Sequence, residues 1–394
     1  MMLYNKKRYL KAATLLLAFS IPISSFLNAR ILVVCLVLAL LNLNISRLKL
    51  SLFSDILVYL IVLICGVFYS AEWQTGLRVL ETNFSFVAIP LIIVGFNSTT
   101  DNGLNELIYS FVAGLFVACV IVLVHATVNY FLLGGVSNFF FYQLTDVLNS
   151  HPTYLAYYLI FAITYGLCIL YYNLTTFKHG IIISLIFFFF IVLMLTGGRT
   201  AFISASFVFA FFILKFLVDY KNSFAKRTFV VVILMLLCLF IVNGIEQEGR
   251  NVILDDSWER YVLWESALQA VPDIVFGVGT GDYRETMNAY YITHNLTFFA
   301  KESYNSHNQF IQILLTNGIF GLVAVLILIC RPIFLAVKHH HVLGVLVFFP
   351  FLLYGMTEVF LGRYQGVVFF ALLHQVFVSY YLSLKSEISA LKDP

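Results

Sequence analysis

The sequence predicts an all-α polytopic membrane protein of about 12 transmembrane helices, with a large, partly helical loop on the non-cytoplasmic side between spans 9 and 10. Three observations carry that reading. Of 394 residues, 61% are hydrophobic and 11% charged, with a mean hydropathy of +0.94. So much apolar surface exceeds what a water-surrounded core can hold, and the bilayer is the solvent. Apolar stretches near the roughly 20 residues a span requires follow one another from about residue 10 to about residue 384. Basic residues, finally, gather on alternate connections, as the positive-inside rule demands. A single integral membrane domain over 1–394 follows, with the loop at 245–306 inside it. The formal charge of +3 is modest, and no nucleic-acid footprint accompanies it.

The first stretch, about 10–28, follows Lys6, Lys7, Arg8 and Lys11, yet no small-residue cleavage site succeeds it. Asn28 and Arg30 lead straight into the next stretch, so the first reads as an uncleaved helix. Further spans fall at about 29–45, 52–70, 79–96, 104–126, 153–173, 180–196, 200–218, 228–244, 307–330, 343–361 and 364–384. With the N-terminus in the cytoplasm, Arg47, Lys49, Lys178, Lys215, Lys221, Lys226, Arg227, Arg331, Lys338, Lys385 and Lys392 all lie inside. Both termini are then cytoplasmic. The six cysteines, Cys35, Cys65, Cys119, Cys168, Cys238 and Cys330, sit in apolar stretches without close spacing, the pattern of small core residues.

The outer side receives Arg30, Arg78, Arg199, Arg250, Arg260, Arg284, Lys301 and Arg363 against this bias. A lone case such as Arg30 is satisfied by snorkelling to headgroups, whereas Arg199 and Arg260 call for a functional reason. Two outer segments, about 127–152 and 245–306, are long enough for structure of their own. In the larger, Asp256 and Glu259 resemble a capping box, and Tyr261, Trp264, Leu268 and Val271 recur at helical spacing. An amphipathic helix lying on the outer membrane surface is expected, ended by Pro272 and Asp273. Gly277, Gly279 and Gly281 then form a tight turn; lacking a preceding strand, they are not a nucleotide loop.

The chemistry concentrates in three places. Ser306 and Gln309 have the S-x-x-Q form of a capping box, which starts a helix there and sets His307 on its first turn, with Asn308 and Gln312 one turn apart on a polar stripe. Histidine suits proton removal from a hydroxyl near neutral pH; a structural hydrogen bond to a carbonyl is the plainer role. Thr196-Gly197-Gly198-Arg199 joins two spans, where close backbone approach, a helix N-terminus and a guanidinium would form an anion site; a tight turn with a snorkelling arginine is the plainer reading. Arg260 projects from the loop helix and reaches the same place, unless Glu259 and Asp256 neutralise it. His151, before Pro152, opens the sixth span and reads as structural or acceptor-lining. Lys338-His339-His340-His341 looks metal-like but falls on the cytoplasmic side, as a solvated loop. No spaced carboxylates or His/Glu cluster on the outer face suggest a metal.

His307-Asn308, nine residues, Gly318, two residues and Gly321 fits the H-[NSQ]-x9-G-x2-[GTY] pattern, and in this the chain resembles O-antigen ligases and the related O-antigen polymerases. Thr196–Arg199, Arg260-Tyr261-Val262-Leu263-Trp264 and the glycines after Asp273 look like the same family's pieces in its order, over about 180–335. The resemblance implies transfer of a glycan from undecaprenyl pyrophosphate to an acceptor hydroxyl, on lipid A-core or another glycan, at the outer, periplasmic face of a bacterial inner membrane. It further implies His307 as general base, Arg199 and Arg260 on the donor pyrophosphate, and supporting roles for Asn308, Gly197, Gly198 and His151. An inverting, metal-independent transfer with no cofactor is expected, in contact with membrane lipids and no nucleic acid. A polymerase places its base and arginines in the same way and stays open. A transporter places ionisable groups at mid-membrane, where only Asp55, Glu81, His125, Glu358 and His374 lie within or near spans.

Overall fold

A computed structural model describes residues 2–44, 48–97, 103–174, 178–219, 221, 223, 226, 228–233, 235 and 256–390. In chain order its helices are α1 (Met2–Ser20), α2 (Ser25–Leu40), α3 (Ser54–Phe68), α4 (Trp73–Thr82), α5 (Ser85–Asn97), α6 (Gly103–Leu133), α7 (Phe141–Thr145), α8 (Pro152–Tyr172), α9 (His179–Thr196), α10 (Arg199–Val218), α11 (Asp256–Gln269), α12 (Tyr283–Thr293), α13 (Thr297–Glu302), α14 (Gln309–Lys338), α15 (Val342–Gly355) and α16 (Tyr364–Ala390). No strand occurs among the described residues.

Seven helical runs among the described residues are long and apolar enough to cross a membrane: Trp73–Phe96, Asn105–Leu133, Pro152–Tyr172, His179–Thr196, Thr200–Val218, Gln309–Lys338 and Tyr364–Leu384. Ser25–Leu41, Ser54–Phe68 and Val342–Gly355 are shorter apolar helices. The ninth expected span lies mostly outside the described residues, as do Cys238 and Arg250. Several expected boundaries move, two of them for a visible reason. The chain breaks at residues 21–24, so Asn28 and Arg30 sit within α2 rather than between spans. The buried Asn28 amide explains the break, donating to the Leu17 carbonyl and the Ser20 hydroxyl, both at 2.8 Å. Likewise 79–96 belongs to two helices, parted where Asn83 donates back to the Val79 carbonyl and accepts from the Tyr59 hydroxyl.

The chain divides into two compact units, Met1–Thr14 with Ala29–Leu104 and Ile253–Pro394, and Leu15–Asn28 with Asn105–Val252. In the second, α8 is buried along nearly its whole length and is apolar all round, as a central helix must be.

In the first unit, α14 is broken. Gly318 stands at φ 61, ψ −156 inside it, a conformation essentially closed to side-chain-bearing residues. The break frees carbonyls and an N–H, and the glycine-rich turn supplies their partners. Val278 and Gly279 N–H donate to the Leu315 and Thr316 carbonyls at 2.9 and 2.8 Å, and Ile319 N–H donates to the Ile274 carbonyl at 2.9 Å. Thr280 continues the splice into α3, where its N–H and hydroxyl donate to the Gly66 and Leu63 carbonyls. Asp282 then accepts from the N–H groups of Ala71 and Glu72 at 2.9 and 2.7 Å, fixing the turn into α4. Every one of these backbone groups is thereby paired, which an apolar surrounding requires.

The loop after α11 is a small folded body. Leu263, Ala267, Met287, Tyr291 and Phe299 from α11, α12 and α13 form one core with Leu315 of α14. Tyr261 and Leu268, from the stripe expected to be apolar, stay exposed on the other side of α11.

At the far end of α3, Asp55 is 3% exposed. It accepts from His374 Nε2 of α16 at 2.6 Å and from Arg331 Nη1 of α14, tying three helices together.

Candidate functional site at the start of α14

The expected Ser306/Gln309 capping box does not form, and His307 lies before the helix rather than on its first turn. Asn308 is the N-cap of α14; its side-chain oxygen accepts from the N–H groups of Phe310 and Ile311 at 2.9 and 3.1 Å. Asparagine is as strong a cap as serine, and Ser306 is engaged elsewhere. Its hydroxyl donates to the Asn308 carbonyl at 2.9 Å and lies 3.1 Å from Gln312 Oε1. Gln309 accepts from the Leu361 N–H at 2.9 Å.

His307 occupies the left-handed region at φ 43, uncommon for any residue but glycine. Its N–H donates to Asn305 Oδ1 at 2.8 Å, an Asx turn that holds it there. Its Nδ1 stands 3.6 Å from Glu358 Oε2, and its ring centroid is 5.9 Å from that of Tyr304. Burial, with Glu259 and Glu302 nearby, lifts the Tyr304 hydroxyl above the usual tyrosine range, so it stays protonated. Glu358, expected within or near a span, lies just past the end of α15, in the connection to α16.

Glu358 also lines a cavity of about 690 Å³. One wall is α4, through Thr75, Arg78, Val79 and Thr82 at helical i, i+3, i+4, i+7 spacing. The loop adds Arg284, Glu285, Glu302 and Asn305; α14 adds Gln309, Gln312 and Asn317; Arg363 closes the last side. Asn317 Oδ1 is buried there with no hydrogen-bond partner. The arginines Arg78, Arg284 and Arg363 share the lining with Glu72, Glu285, Glu302 and Glu358. Such a mixture of guanidinium, carboxylate, amide and hydroxyl groups suits a polyhydroxylated ligand better than an apolar one.

None of the other sequence candidates is among the residues that line this cavity. Arg260 is half-buried on α11, in the same unit, but does not line the cavity. Arg199 is the first residue of α10 and, with Gly197, Gly198 and His151, belongs to the second unit. Gly197 ends α9 at φ 61, and a β-carbon there would meet the Phe141 ring at 2.5 Å. Gly198 is the N-cap of α10. His151 is the N-cap of α8, accepting from the Thr153 N–H at 3.3 Å and paired with the Tyr142 hydroxyl at 2.7 Å. His339 and His341, expected in a solvated loop, pack on Tyr381 instead. Among the described residues no group of three or more His, Cys, Asp or Glu is placed to hold a metal.

Sequence reasoning missed Glu358, Arg284, Arg363 and the whole of α4 as site elements. Arg78, Arg284 and Arg363 did carry a signal, being basic residues on the side that the positive-inside rule leaves poor in them.

Among the described residues the chain is all-α, with seven helical runs long and apolar enough to cross a membrane and a polar cavity lined by helices and a folded loop. Residues 184–326 match the family model described as O-Antigen ligase, and the assignment to that family made from His307, Asn308, Gly318 and Gly321 is supported. An uncharacterized protein of Haemophilus influenzae is 26% identical over 141 residues, covering 33% of this chain and 35% of that protein. The chain thus matches about a third of the length of this relative.

Proposed function

We propose that the chain transfers a glycan from undecaprenyl pyrophosphate to an acceptor hydroxyl at the outer face of a bacterial inner membrane, as a ligase acting on lipid A-core. The observation that carries this reading is His307, held by Asn305 beside Glu358, a carboxylate that lines the polar cavity, within the family-matched segment. The reading keeps about twelve spans, cytoplasmic termini and the 245–306 loop outside, as the placement of lysines and arginines favours.

In this reading the acceptor sugar enters the cavity, where amides and carboxylates receive its hydroxyls. His307 takes the hydroxyl proton, and the oxygen attacks the anomeric carbon from the face opposite the leaving group. The configuration inverts as the carbon–oxygen bond to pyrophosphate breaks. Arg199 and Arg260 spread the charge of the departing pyrophosphate, so neither a strong general acid nor a metal is required at this step. A polymerase differs only in its acceptor, a second lipid-linked repeat.

The test is to incubate purified protein with lipid-linked glycan, with and without a core-lipid acceptor. A single transfer that needs the acceptor supports ligation, and ladders formed without it mean polymerisation. No product in either arm refutes the reading.

A further inference from the structure

We infer that Glu358 is the positioning residue of His307: its carboxylate faces Nδ1, fixes the proton on that nitrogen, and leaves Nε2 free to take the acceptor's proton. The catalytic consequence rests on the proposed role of His307; the orientation does not.

The two residues come from segments stitched together by ties that flank Glu358 and directly follow His307. Asn308 Nδ2 donates to the Met356 carbonyl at 3.2 Å, and the Leu361 N–H donates to Gln309 Oε1 at 2.9 Å. Glu358 itself is anchored through its N–H to the Tyr354 carbonyl at 2.8 Å, on the last turn of α15. Between these ties the carboxylate has little freedom, and its side chain is 11% exposed against 31% for the imidazole. The His307 backbone is held in the left-handed region by Asn305. Such a conformation persists only where its surroundings over-determine it, and it is typical of functional positions.

At 3.6 Å the contact is an ion-pair distance rather than a closed hydrogen bond. Catalytic hydrogen bonds are commonly long before substrate arrives and tighten afterwards. A carboxylate beside Nδ1 selects one tautomer and stabilises the imidazolium formed on proton uptake, the task an acid performs in a catalytic triad. Binding the donor pyrophosphate is excluded for Glu358, since two anions repel. Because it lines the cavity, it sets the ring at the border of the space assigned to the acceptor.

The test uses full-length protein labelled with 15N-histidine in lipid nanodiscs, with the His307 signal assigned by its loss in His307→Asn. Recorded at a pH where the ring is neutral, the parent should carry its proton on Nδ1, and Glu358→Gln should show a mixture of tautomers. With lipid-linked glycan extracted from the producing cells, Glu358→Gln should lower kcat about 10²- to 10⁴-fold while leaving the acceptor KM nearly unchanged. Glu358→Asp, which keeps the charge, should recover part of the loss. An unchanged tautomer in Glu358→Gln, or a loss carried by KM with kcat intact, overturns the proposal. Should His307→Asn transfer at the parent rate, the base assignment fails, and the tautomer measurement still decides whether Glu358 orients the ring.

Discussion

A β-carbon built on Gly318 would lie 2.1 Å from the carbonyl oxygen of Val275. The broken helix and the loop turn touch backbone to backbone, with no room for a side chain between them. Gly318→Ala therefore meets two penalties, a forbidden backbone conformation costing about 1–3 kcal/mol and a clash with the backbone next to Ile274, whose carbonyl pairs with Ile319. Thermal unfolding in detergent should show a large loss of stability, and a melting temperature equal to that of the parent would contradict the account.

His307→Ala should abolish transfer with the amount of protein in the membrane unchanged. His307→Asn is the sharper variant, because asparagine tolerates the left-handed backbone while removing the base. Transfer should fall about 10²- to 10⁴-fold in both. Near-normal glycan product from either would end the base assignment.

Arg199→Ala and Arg260→Ala act on the other side of the reaction. Each should weaken dependence on the pyrophosphate donor, since losing one charge-stabilising donor costs on the order of 10²–10³ in rate. Titrating lipid-linked glycan at fixed acceptor measures this, and unaltered donor curves in both variants would remove the assignment.

Thr75 faces the cavity from α4, outside the family-matched segment. Thr75→Trp should fill that space, raising the acceptor KM by tenfold or so, equivalent to about 1.4 kcal/mol, while donor binding holds. An unaffected acceptor KM would show that the acceptor goes elsewhere.

Asp55→Ala leaves Arg331 and His374 without their shared acceptor. Breaking a buried pair by removing one partner costs about 3–5 kcal/mol, so the melting temperature should drop sharply. An unchanged melting temperature would mean the cluster contributes nothing to stability.

Much of this was legible in the sequence, and the misses share a cause. Helix type and the start of α14 follow from local pattern, as do the turn at Gly197 and the cap before Pro152, because each depends on residues within a few positions. The cavity does not. Arg78, Arg284 and Glu358 sit in three separate stretches of chain, brought round one space by long-range ties such as those from Asp282 to the α3–α4 turn and from Asn308 to Met356. Ser306 misled because serine and asparagine are near-equal caps, and the choice fell to which of them had another partner. On α11 the pattern read from the sequence marks the Tyr261–Leu268 side, which is exposed, and does not pick out the smaller Leu263–Ala267 face that packs inward.

The splice at Gly318 makes the loop and α14 one unit of inheritance. Since Val278, Gly279 and Ile319 exchange main-chain hydrogen bonds across the break, no side-chain repertoire on either partner can compensate for a shift in register on the other. A chimera that borrows the loop from a relative without the stretch up to Ile319 would carry an unmatched half of the joint. Exchange of acceptor preference between relatives should therefore succeed only when residues 273–319 travel together.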